Sequence, residues 1–267
     1  MVGITQNLLF LHAHPDDEAI FTGGTIRRLA DAGHRVVVVF ATSGELGVRD
    51  DPADTDGSEL GDRRRDEAQR ACELLGVDRV VFLDHVDSGI SDDPRHRPWG
   101  AFADVSIEVA ADHLAAIAEG ERADAIVSYD AGGIYGHPDH VHAHVVAVEA
   151  AERAGVETVY EVTVDREYLH FVDTHVAAAA GASLPSLRDL GMPTVEITTT
   201  VDVRAELVAK HAAIAAHVSQ VPDDPTFGSG PGFGDVYGWE WYVRRGPAGA
   251  IDELADRPHR TRIGATT

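Results

Sequence analysis

The chain has 267 residues, 44% of them hydrophobic, which is enough to build one large α/β domain with a substantial core. Its 45 acidic residues outnumber the 22 lysines and arginines, and the formal net charge of −23 disfavours nucleic acids and anionic membrane surfaces as partners. The single cysteine, Cys72, excludes an internal disulfide framework and a cysteine-based zinc finger, and it fits a reducing cytoplasm.

The N-terminal segment predicts a short strand and no targeting signal. Apolar residues 8–11 lead directly into histidines and carboxylates, so the segment has neither the basic region of a signal peptide nor the length of a membrane span. We therefore expect a soluble, cytoplasmic protein without a membrane partner.

Short apolar runs alternate with longer segments of helical period, which is typical of βαβ units around a parallel sheet. Strands are predicted at 7–11, 35–41, 79–83, 125–129, 158–162, 195–203 and 236–243. Helices are predicted at 18–32, 58–75, 104–119, 138–154 and 205–217, and glycines that mark helix ends are Gly33, Gly76, Gly120 and Gly155.

The order of these elements predicts an α/β fold: a Rossmann-like, mostly parallel sheet flanked by helices, in a single elaborated domain over residues 1–267. Residues 1–155 would form the Rossmann-like core and residues 156–267 a less regular α/β completion. The connections at 44–56 and 84–102 exceed ordinary loop lengths, so we expect them to form walls or lids of a binding site.

A polar motif, HPDDE at residues 14–18, follows the first predicted strand. In a dinucleotide-binding protein this turn would be glycine-rich, so that bare backbone amides could receive a phosphate. The carboxylates of Asp16 and Asp17 would instead repel a phosphate and attract a divalent cation. The turn therefore predicts half of a metal site, in which His14 and Asp17 aim at one point.

A second motif, YGHPDH at residues 135–140, follows the fourth predicted strand. Open α/β sheets bind ligands outside the carboxyl ends of their strands, so His140 can reach the same point as His14 and Asp17. Such a set of two histidines and one aspartate leaves a fourth position open, which is typical of a catalytic zinc. Either motif alone is more often a helix cap or a surface pair, but both together, each with a proline after a strand, favour metal ligation.

Further groups beside the predicted ligands suit hydrolysis. Asp16 cannot easily share the ion with Asp17 and is the natural general base. His137, which Asp139 could hydrogen-bond and keep cationic, suits stabilising an oxyanion or protonating a leaving amine. Tyr135 could offer its phenolic O–H to the same developing charge.

Other candidates have plainer interpretations. His142 and His144 continue into a helix and are expected to pack or to be solvated. The pair Gly23-Gly24 is expected to allow close packing of a helix on the sheet, and Cys72 to be a buried structural thiol.

The motifs together resemble those of a known enzyme family. They are AHPDDE at 13–18, GG at 23–24, TSGE at 42–45, RxxE at 64–67 followed by LG at 75–76, and GHPDH at 136–140. With this set the chain resembles the PIG-L/LmbE family of metal-dependent N-acetyl-sugar deacetylases, densely over roughly its first 150 residues and more loosely in AKHAAIAAHVSQ at 209–220.

The resemblance implies a Rossmann-like fold and one zinc or ferrous ion held by His14, Asp17 and His140. It also implies that Asp16 is the base and that His137 is the electrostatic and acid partner, in agreement with the spacing of the motifs.

Within the family, the sequence DSG at 87–89 and the tyrosine before GHPDH look like those of the mycothiol-pathway deacetylases and amidases. Positions at which the family contacts its glycan match Glu45, Arg64 and Asp87, which we expect to bind substrate. Two plainer alternatives are an i,i+3 salt bridge between Arg64 and Glu67 and an ordinary turn at 87–89.

These observations predict a metal-dependent hydrolase that removes an N-acyl group, in the first place N-acetyl, from an amino sugar or glycoconjugate of the N-acetylglucosaminyl-inositol type. Its partner would be that small molecule, and the sequence leaves open whether the chain forms a homo-oligomer. An alternative is an amidase for a larger N-acyl substrate, such as a mycothiol S-conjugate or an antibiotic.

Two other classes are disfavoured. A non-catalytic carbohydrate-binding module would have no use for Asp16 and His137, which are not needed as ligands. A metallophosphatase would need more ligands for its usual two-metal site than the three found here.

Overall fold

Seven strands form one mixed sheet in the part of the chain that the computed structural model describes, namely residues 5–48, 57–91, 93–172, 190–220 and 232–255. They are β1 (Asn7–His12), β2 (Arg35–Thr42), β3 (Arg79–His85), β4 (Ala125–Tyr129), β5 (Thr158–Thr163), β6 (Thr199–Asp202) and β7 (Trp239–Arg245). Their order is β3-β2-β1-β4-β5-β7-β6. Strands β1 to β5 are parallel, and β7 is antiparallel to both β5 and β6.

The helices of the described residues alternate with these strands. They are α1 (Asp17–Phe21), α2 (Gly23–Asp31), α3 (Ser58–Leu75), α4 (Ile107–Glu121), α5 (Gly133–Gly136), α6 (Pro138–Ala154), α7 (Arg166–Val172), α8 (Leu207–Ala216), α9 (Phe233–Tyr237) and α10 (Ala250–Leu254). A mostly parallel sheet flanked by helices confirms the predicted α/β fold class. No helix within the described ranges is both long and apolar enough to cross a membrane.

The central strands are buried along nearly their whole length. After Arg35, every residue of β2 is buried, and so is every residue of β4. Such continuous apolar runs are typical of parallel strands that are covered on both faces. Cys72 is fully buried in this core, and burial raises the pKa of its thiol, as expected of a structural cysteine.

The two polar motifs lie at the switch point of the sheet. Strands β1 and β4 are neighbours, but β2 lies beyond β1 on one side and β5 lies beyond β4 on the other. The connections that leave β1 and β4 therefore diverge, and a crevice forms between them at the carboxyl ends of the strands. His14 follows β1, and the 137–140 segment follows β4.

The helix predicted at 18–32 is interrupted at Thr22, where φ is −132° and ψ is 1°. A carboxylate from a distant strand explains the interruption, because Glu240 of β7 accepts the N–H groups of Gly24 and Thr25, each at 2.8 Å. These two N–H groups belong to the first turn of α2, and a new helix begins there. A Cβ on Gly24 would clash with the side chain of Val203, which confirms that this glycine permits close packing.

Several predicted boundaries in the second half are wrong. The strand predicted at 195–203 is a 3₁₀ turn (Thr194–Glu196) followed by the short β6, and the strand predicted at 236–243 begins only after α9. Helix α4 passes Gly120 and ends at Glu121, and Arg122, whose φ is 52°, caps it. Residues 49–56 of the loop predicted at 44–56, and residue 92 of the loop predicted at 84–102, lie outside the described residues.

Candidate metal centre and active site

The three predicted ligands converge from two connections. His14 follows β1, Asp17 begins α1, and His140 lies in the first turn of α6. Asp17 Oδ2 lies 3.4 Å from His14 Nδ1 and 3.3 Å from His140 Nε2, and all three side chains are buried. Neither ring nitrogen of His140 has a hydrogen-bond partner among the described residues. A buried imidazole with unpaired nitrogens next to a carboxylate fits a metal ligand better than a structural histidine.

A second layer of hydrogen bonds orients these ligands. His14 Nε2 lies 3.2 Å from Asp139 Oδ2, and the same carboxylate accepts the backbone N–H of Ser88 at 2.9 Å and its hydroxyl. On the other side, the Tyr129 hydroxyl donates to Asp17 Oδ2 at 2.7 Å. The contact of His14 with Asp139 is typical of metal-binding histidines, which often donate their second N–H to a carboxylate. The residues present therefore fit a divalent cation.

The charges around His14 also favour a cation. Burial alone would lower the pKa of His14, but hydrogen bonds with Asp139, Asp17 and Asp87 outweigh burial and raise that pKa well above its usual value. The carboxylates that favour a protonated imidazole would equally favour a metal ion at this position.

The described residues contain two overlapping groups whose ligand atoms lie within 4.8 Å of one another. One is His14, His137 and His140, and the other is His14, Asp87, His137 and Asp139. A buried group that could hold a metal is thus present. Both groups include His137, so ligation by His137 competes with the ligand set expected from the motifs.

Asp16 is held in a strained conformation beside the ligands. Its φ is 108°, which is uncommon for a residue other than glycine. Its carboxylate lies 3.1 Å from Arg64 Nη2, and 23% of the side chain stays exposed to the cleft. Burial raises the pKa of Asp16 to about 6, although Arg64 acts in the opposite direction. A carboxylate with a pKa in this range suits a general base near neutral pH.

His137 caps the N-terminus of α6 in an orientation that the motif did not reveal. Its Nδ1 accepts the backbone N–H of Asp139 at 3.2 Å, so a neutral ring has its proton on Nε2. Burial, together with His14 and His140, lowers the pKa of His137 to about 4. The expectation that Asp139 keeps His137 cationic is therefore wrong, because the Asp139 carboxylate contacts His14 and Ser88 instead.

Two of the three predicted substrate residues, Arg64 and Asp87, line the cleft, whereas Glu45 lies behind them and accepts hydrogen bonds from Asp87 and Ser43. Asp87 donates its backbone N–H to Glu45 Oε1 at 2.8 Å, and Asp87 Oδ1 lies 3.6 Å from His14 Nε2. Arg64 is buried and donates to the carbonyl oxygens of Gly44 and Pro15. The cleft has a volume of about 430 Å³, and its polar lining includes Asp16, Arg64, Asp87, His137 and Gln220.

The two plainer alternatives have different outcomes. Glu67 does not pair with Arg64, because its carboxylate accepts the N–H of Ser219 at 3.0 Å and the Ser219 hydroxyl at 2.7 Å. A turn at 87–89 is present, since Asp87 Oδ1 accepts the N–H of Gly89 at 2.8 Å. The turn aims Asp87 at the cleft, so it does not exclude substrate binding.

Tyr135 lies between the cleft and a second cavity. Its ring centroid is 4.9 Å from that of His140, and 42% of the residue is exposed. Burial raises the pKa of its hydroxyl, which therefore stays protonated and can donate. The second cavity, of about 400 Å³, is lined mainly by apolar side chains, among them Ile20, Phe21, Leu169 and Trp241.

Sequence reasoning missed several residues that support this site. Tyr129 belongs to no motif, and Ser88 has no role of its own within the DSG motif at 87–89; their contacts with Asp17 and Asp139 reveal both. His217 and Gln220 belong to the AKHAAIAAHVSQ segment, so a signal existed although no role was assigned to it.

Comparisons with known proteins agree with this geometry. The model of the GlcNAc-PI de-N-acetylase (PIG-L) family matches residues 9–151. A 1D-myo-inositol 2-acetamido-2-deoxy-alpha-D-glucopyranoside deacetylase from Thermobispora bispora is 36% identical over 268 residues, covering 89% of this chain and 87% of that protein. A second deacetylase of the same name, from Salinispora arenicola, is 33% identical and covers 98% of this chain and 96% of that protein.

Among solved structures, the N,N'-diacetylchitobiose deacetylase from Pyrococcus horikoshii superposes with a TM-score of 0.62 at 23% identity, covering 90% of this chain and 84% of that one. At this identity the likeness shows the fold alone.

Proposed function

The chain belongs to the PIG-L family of GlcNAc-PI de-N-acetylases, and from this premise we propose that it hydrolyses the N-acetyl group of an amino sugar in a metal-dependent reaction. The observation that supports this most is the convergence of His14, Asp17 and His140 beside the partly exposed carboxylate of Asp16. The products would be acetate and the free amine of the sugar.

Zinc or ferrous iron is the ion that we propose for His14, Asp17 and His140, because imidazole and carboxylate ligands suit both. When bound, such an ion polarises the amide carbonyl and acidifies a water molecule. His14 would use Nδ1 as its ligand atom, since its Nε2 faces Asp139.

The protein groups then move the protons. An Asp16 oxygen accepts a proton from the attacking water, and Arg64 keeps that carboxylate aimed at the cleft. The Nε2–H of neutral His137 and the hydroxyl of Tyr135 donate hydrogen bonds to the oxygen of the former carbonyl as negative charge develops there. When the C–N bond breaks, protonated Asp16 returns its proton to the departing nitrogen, which leaves as an amine.

The substrate that we propose is a glucosaminyl-inositol type of N-acetylated glycoside. It is supported by the relatives named for a deacetylase of that compound and by the Asp87 carboxylate in the wall of the cleft, which offers acceptors to hydroxyl groups. A pocket that hydrogen-bonds hydroxyls discriminates strongly against analogues that lack them.

A second candidate is hydrolysis of a larger N-acyl group. The apolar cavity shares Tyr135 with the metal cleft, so an acyl chain longer than acetyl could be accommodated if that side chain rotates.

Amine release from a panel of substrates on protein of measured metal content tests both candidates. The panel should contain N-acetylglucosaminyl-inositol, its N-hexanoyl analogue, N-acetylglucosamine and a conjugate in which an S-substituted cysteine acylates the amine of glucosaminyl-inositol. Preference for the first compound supports the proposal. Preference for the hexanoyl analogue or the conjugate supports the amidase, and no release from any compound with a full complement of metal contradicts both.

A further inference from the structure

Asp16 needs restraint from its surroundings to keep its conformation. A non-glycine residue at a φ of 108° is strained, and such a conformation persists only where neighbouring contacts hold it. Arg64 holds the carboxylate. The backbone is held separately, because the Asp16 N–H donates to Glu18 Oε2 at 2.9 Å.

Glu18 is itself fixed by a residue from a distant part of the chain. Its second oxygen, Oε1, accepts a hydrogen bond from His217 Nε2 at 2.7 Å, and both side chains are fully buried. The two residues are 199 positions apart. A buried carboxylate without a partner is strongly unfavourable, so His217 keeps Glu18 in the orientation that reaches Asp16.

The proton on His217 is consistent with this arrangement. Burial alone would lower the pKa of His217, but the charge of Glu18 and its hydrogen bond outweigh burial and raise that pKa. The other ring nitrogen, Nδ1, has no hydrogen-bond partner among the described residues. Within that part of the chain, the hydrogen bond to Glu18 is thus the one that orients the imidazole.

The chain around His217 is anchored to the same site. Two residues further on, Ser219 binds Glu67 of α3, the helix that carries Arg64. Gln220 follows, and its side chain accepts the N–H of Val48 at 3.0 Å and donates to the Val48 carbonyl at 3.1 Å. The segment 217–220 therefore contacts the turn that carries Asp16, the helix α3 that carries Arg64, and the rim of the cleft at Val48.

We propose that His217 is a positioning residue for the general base: through Glu18 it holds the Asp16 peptide in the strained conformation that aims the Asp16 carboxylate into the cleft. The expected loss of kcat rests on the proposed function. The expected change in the Asp16 backbone can be measured without it. Loss of His217 would leave the buried Oε1 of Glu18 without a donor and let the Glu18 side chain reorient, which would release the Asp16 N–H and let the Asp16 backbone relax.

The experiment compares His217→Leu with His217→Gln, whose amide can still donate to Glu18. We expect His217→Leu to lower kcat by about 10- to 100-fold, the scale of a misplaced reacting group, with KM changed less than about twofold. His217→Gln should recover most of the loss. The matched control is His211→Leu, which removes an imidazole from α8 that packs on Phe233, outside the site.

A double-mutant cycle separates positioning from a general structural role. If His217 acts through the base, His217→Leu should cost little further activity in an Asp16→Asn background. An equal fold loss in both backgrounds would overturn the proposal. An unchanged kcat in the single variant His217→Leu would also overturn it, and so would loss of the bound metal from that variant. If His217→Leu does not fold, as judged by its Tm, His217→Asn replaces it, because that side chain is too short to reach Glu18.

Crystal structures of the wild type and of His217→Leu provide a readout that does not depend on turnover. The inference predicts that Asp16 leaves positive φ or loses its contact with Glu18 in the variant, and an unchanged Asp16 contradicts it. If the wild type releases no amine but Asp16 moves in the variant, the proposed function fails and the positioning stands.

Discussion

His14 Nε2 lies 3.2 Å from Asp139 Oδ2, and both side chains are buried. The Asp139 carboxylate can fix the tautomer of the His14 ring and leave its Nδ1 lone pair for a cation beside Asp17. This relationship points to Asp139 as a support of the metal site rather than as the group that keeps His137 protonated.

The first prediction is that Asp139→Asn weakens the metal affinity by about 10- to 100-fold, the usual effect of losing a carboxylate behind a histidine ligand. Competition titration with a chromogenic chelator measures it. The control is Asp112→Asn, on the exposed face of α4, where Asp112 pairs with Arg153. An affinity equal to that of the wild type would show that Asp139 does not support the site.

The second prediction identifies the ligands. His14→Ala, Asp17→Ala and His140→Ala should each reduce the metal content of a chain that otherwise binds one ion, whereas His137→Ala should keep it. Elemental analysis of dialysed protein is the measurement, with His144→Ala as a control. An empty site in His137→Ala would instead favour the group of His14, His137 and His140.

The third prediction concerns the base and its pH dependence. Asp16→Asn should keep the metal and lose activity by about 10²- to 10⁴-fold, the usual contribution of a positioned base. Because the pKa of Asp16 is raised to about 6 and the reaction needs the carboxylate form, kcat/KM should fall as the pH drops through about 6. In the metal-loaded enzyme the midpoint should lie at or below this value, since a bound cation stabilises the carboxylate, and a kcat/KM that does not fall on the acid side would contradict the assignment of Asp16 as base.

His137 should behave differently. Its pKa of about 4 keeps the ring neutral from pH 5 to 8, so its titration should not add a limb in that range. His137→Ala should therefore keep the fall of kcat/KM at low pH. The variant would lose that fall only if His137, rather than Asp16, were the titrating group. That result, read from the pH profile of the variant, would reverse the two assignments.

The fourth prediction separates the roles of two residues that were expected to bind substrate. Asp87→Ala should lower kcat/KM for a glycan, mainly by raising KM. The loss corresponds to about 1–3 kcal/mol of transition-state stabilisation, the scale of a lost charged hydrogen bond. Arg64→Ala should lower kcat as well, because Arg64 also contacts Asp16. The neighbouring Arg65→Ala, whose side chain lies over Phe82 and pairs with exposed Asp84, is the control for steady-state kinetics. A purely KM effect in Arg64→Ala would contradict its contact with the base.

The fifth prediction concerns stability. Lys210 and Glu240 form a buried pair at 2.6 Å, each side chain 1% exposed, and Glu240 also holds the start of α2. Lys210→Met should lower the free energy of unfolding by about 3–5 kcal/mol, because it leaves the buried carboxylate of Glu240 without its cationic partner. Arg27→Met, which breaks the exposed i,i+4 pair with Asp31, should cost only about 0.5 kcal/mol. Urea denaturation measures both values, and an equal loss of unfolding free energy in the two variants would contradict the prediction.

The sequence by itself determined the strands of the parallel core, the order of helices between them and the convergence of two polar motifs. These features depend on local patterns: the apolar run of β2 can only be a buried strand or helix, and its length and its β-branched residues decide for the strand. The proline-containing motifs then fall at neighbouring strand ends, because chain order and the handedness of parallel connections allow few topologies.

Only the tertiary structure decided the contacts that give each polar group its partner. Thr22 interrupts a predicted helix because Glu240, more than 200 positions away, binds the first turn of α2. Asp139 turns toward His14 although His137 is closer in sequence, and Glu18 finds its partner in His217. Which groups pair in the packed core depends on their distance and on hydrogen-bond geometry. The spacing of residues along the chain does not give either quantity.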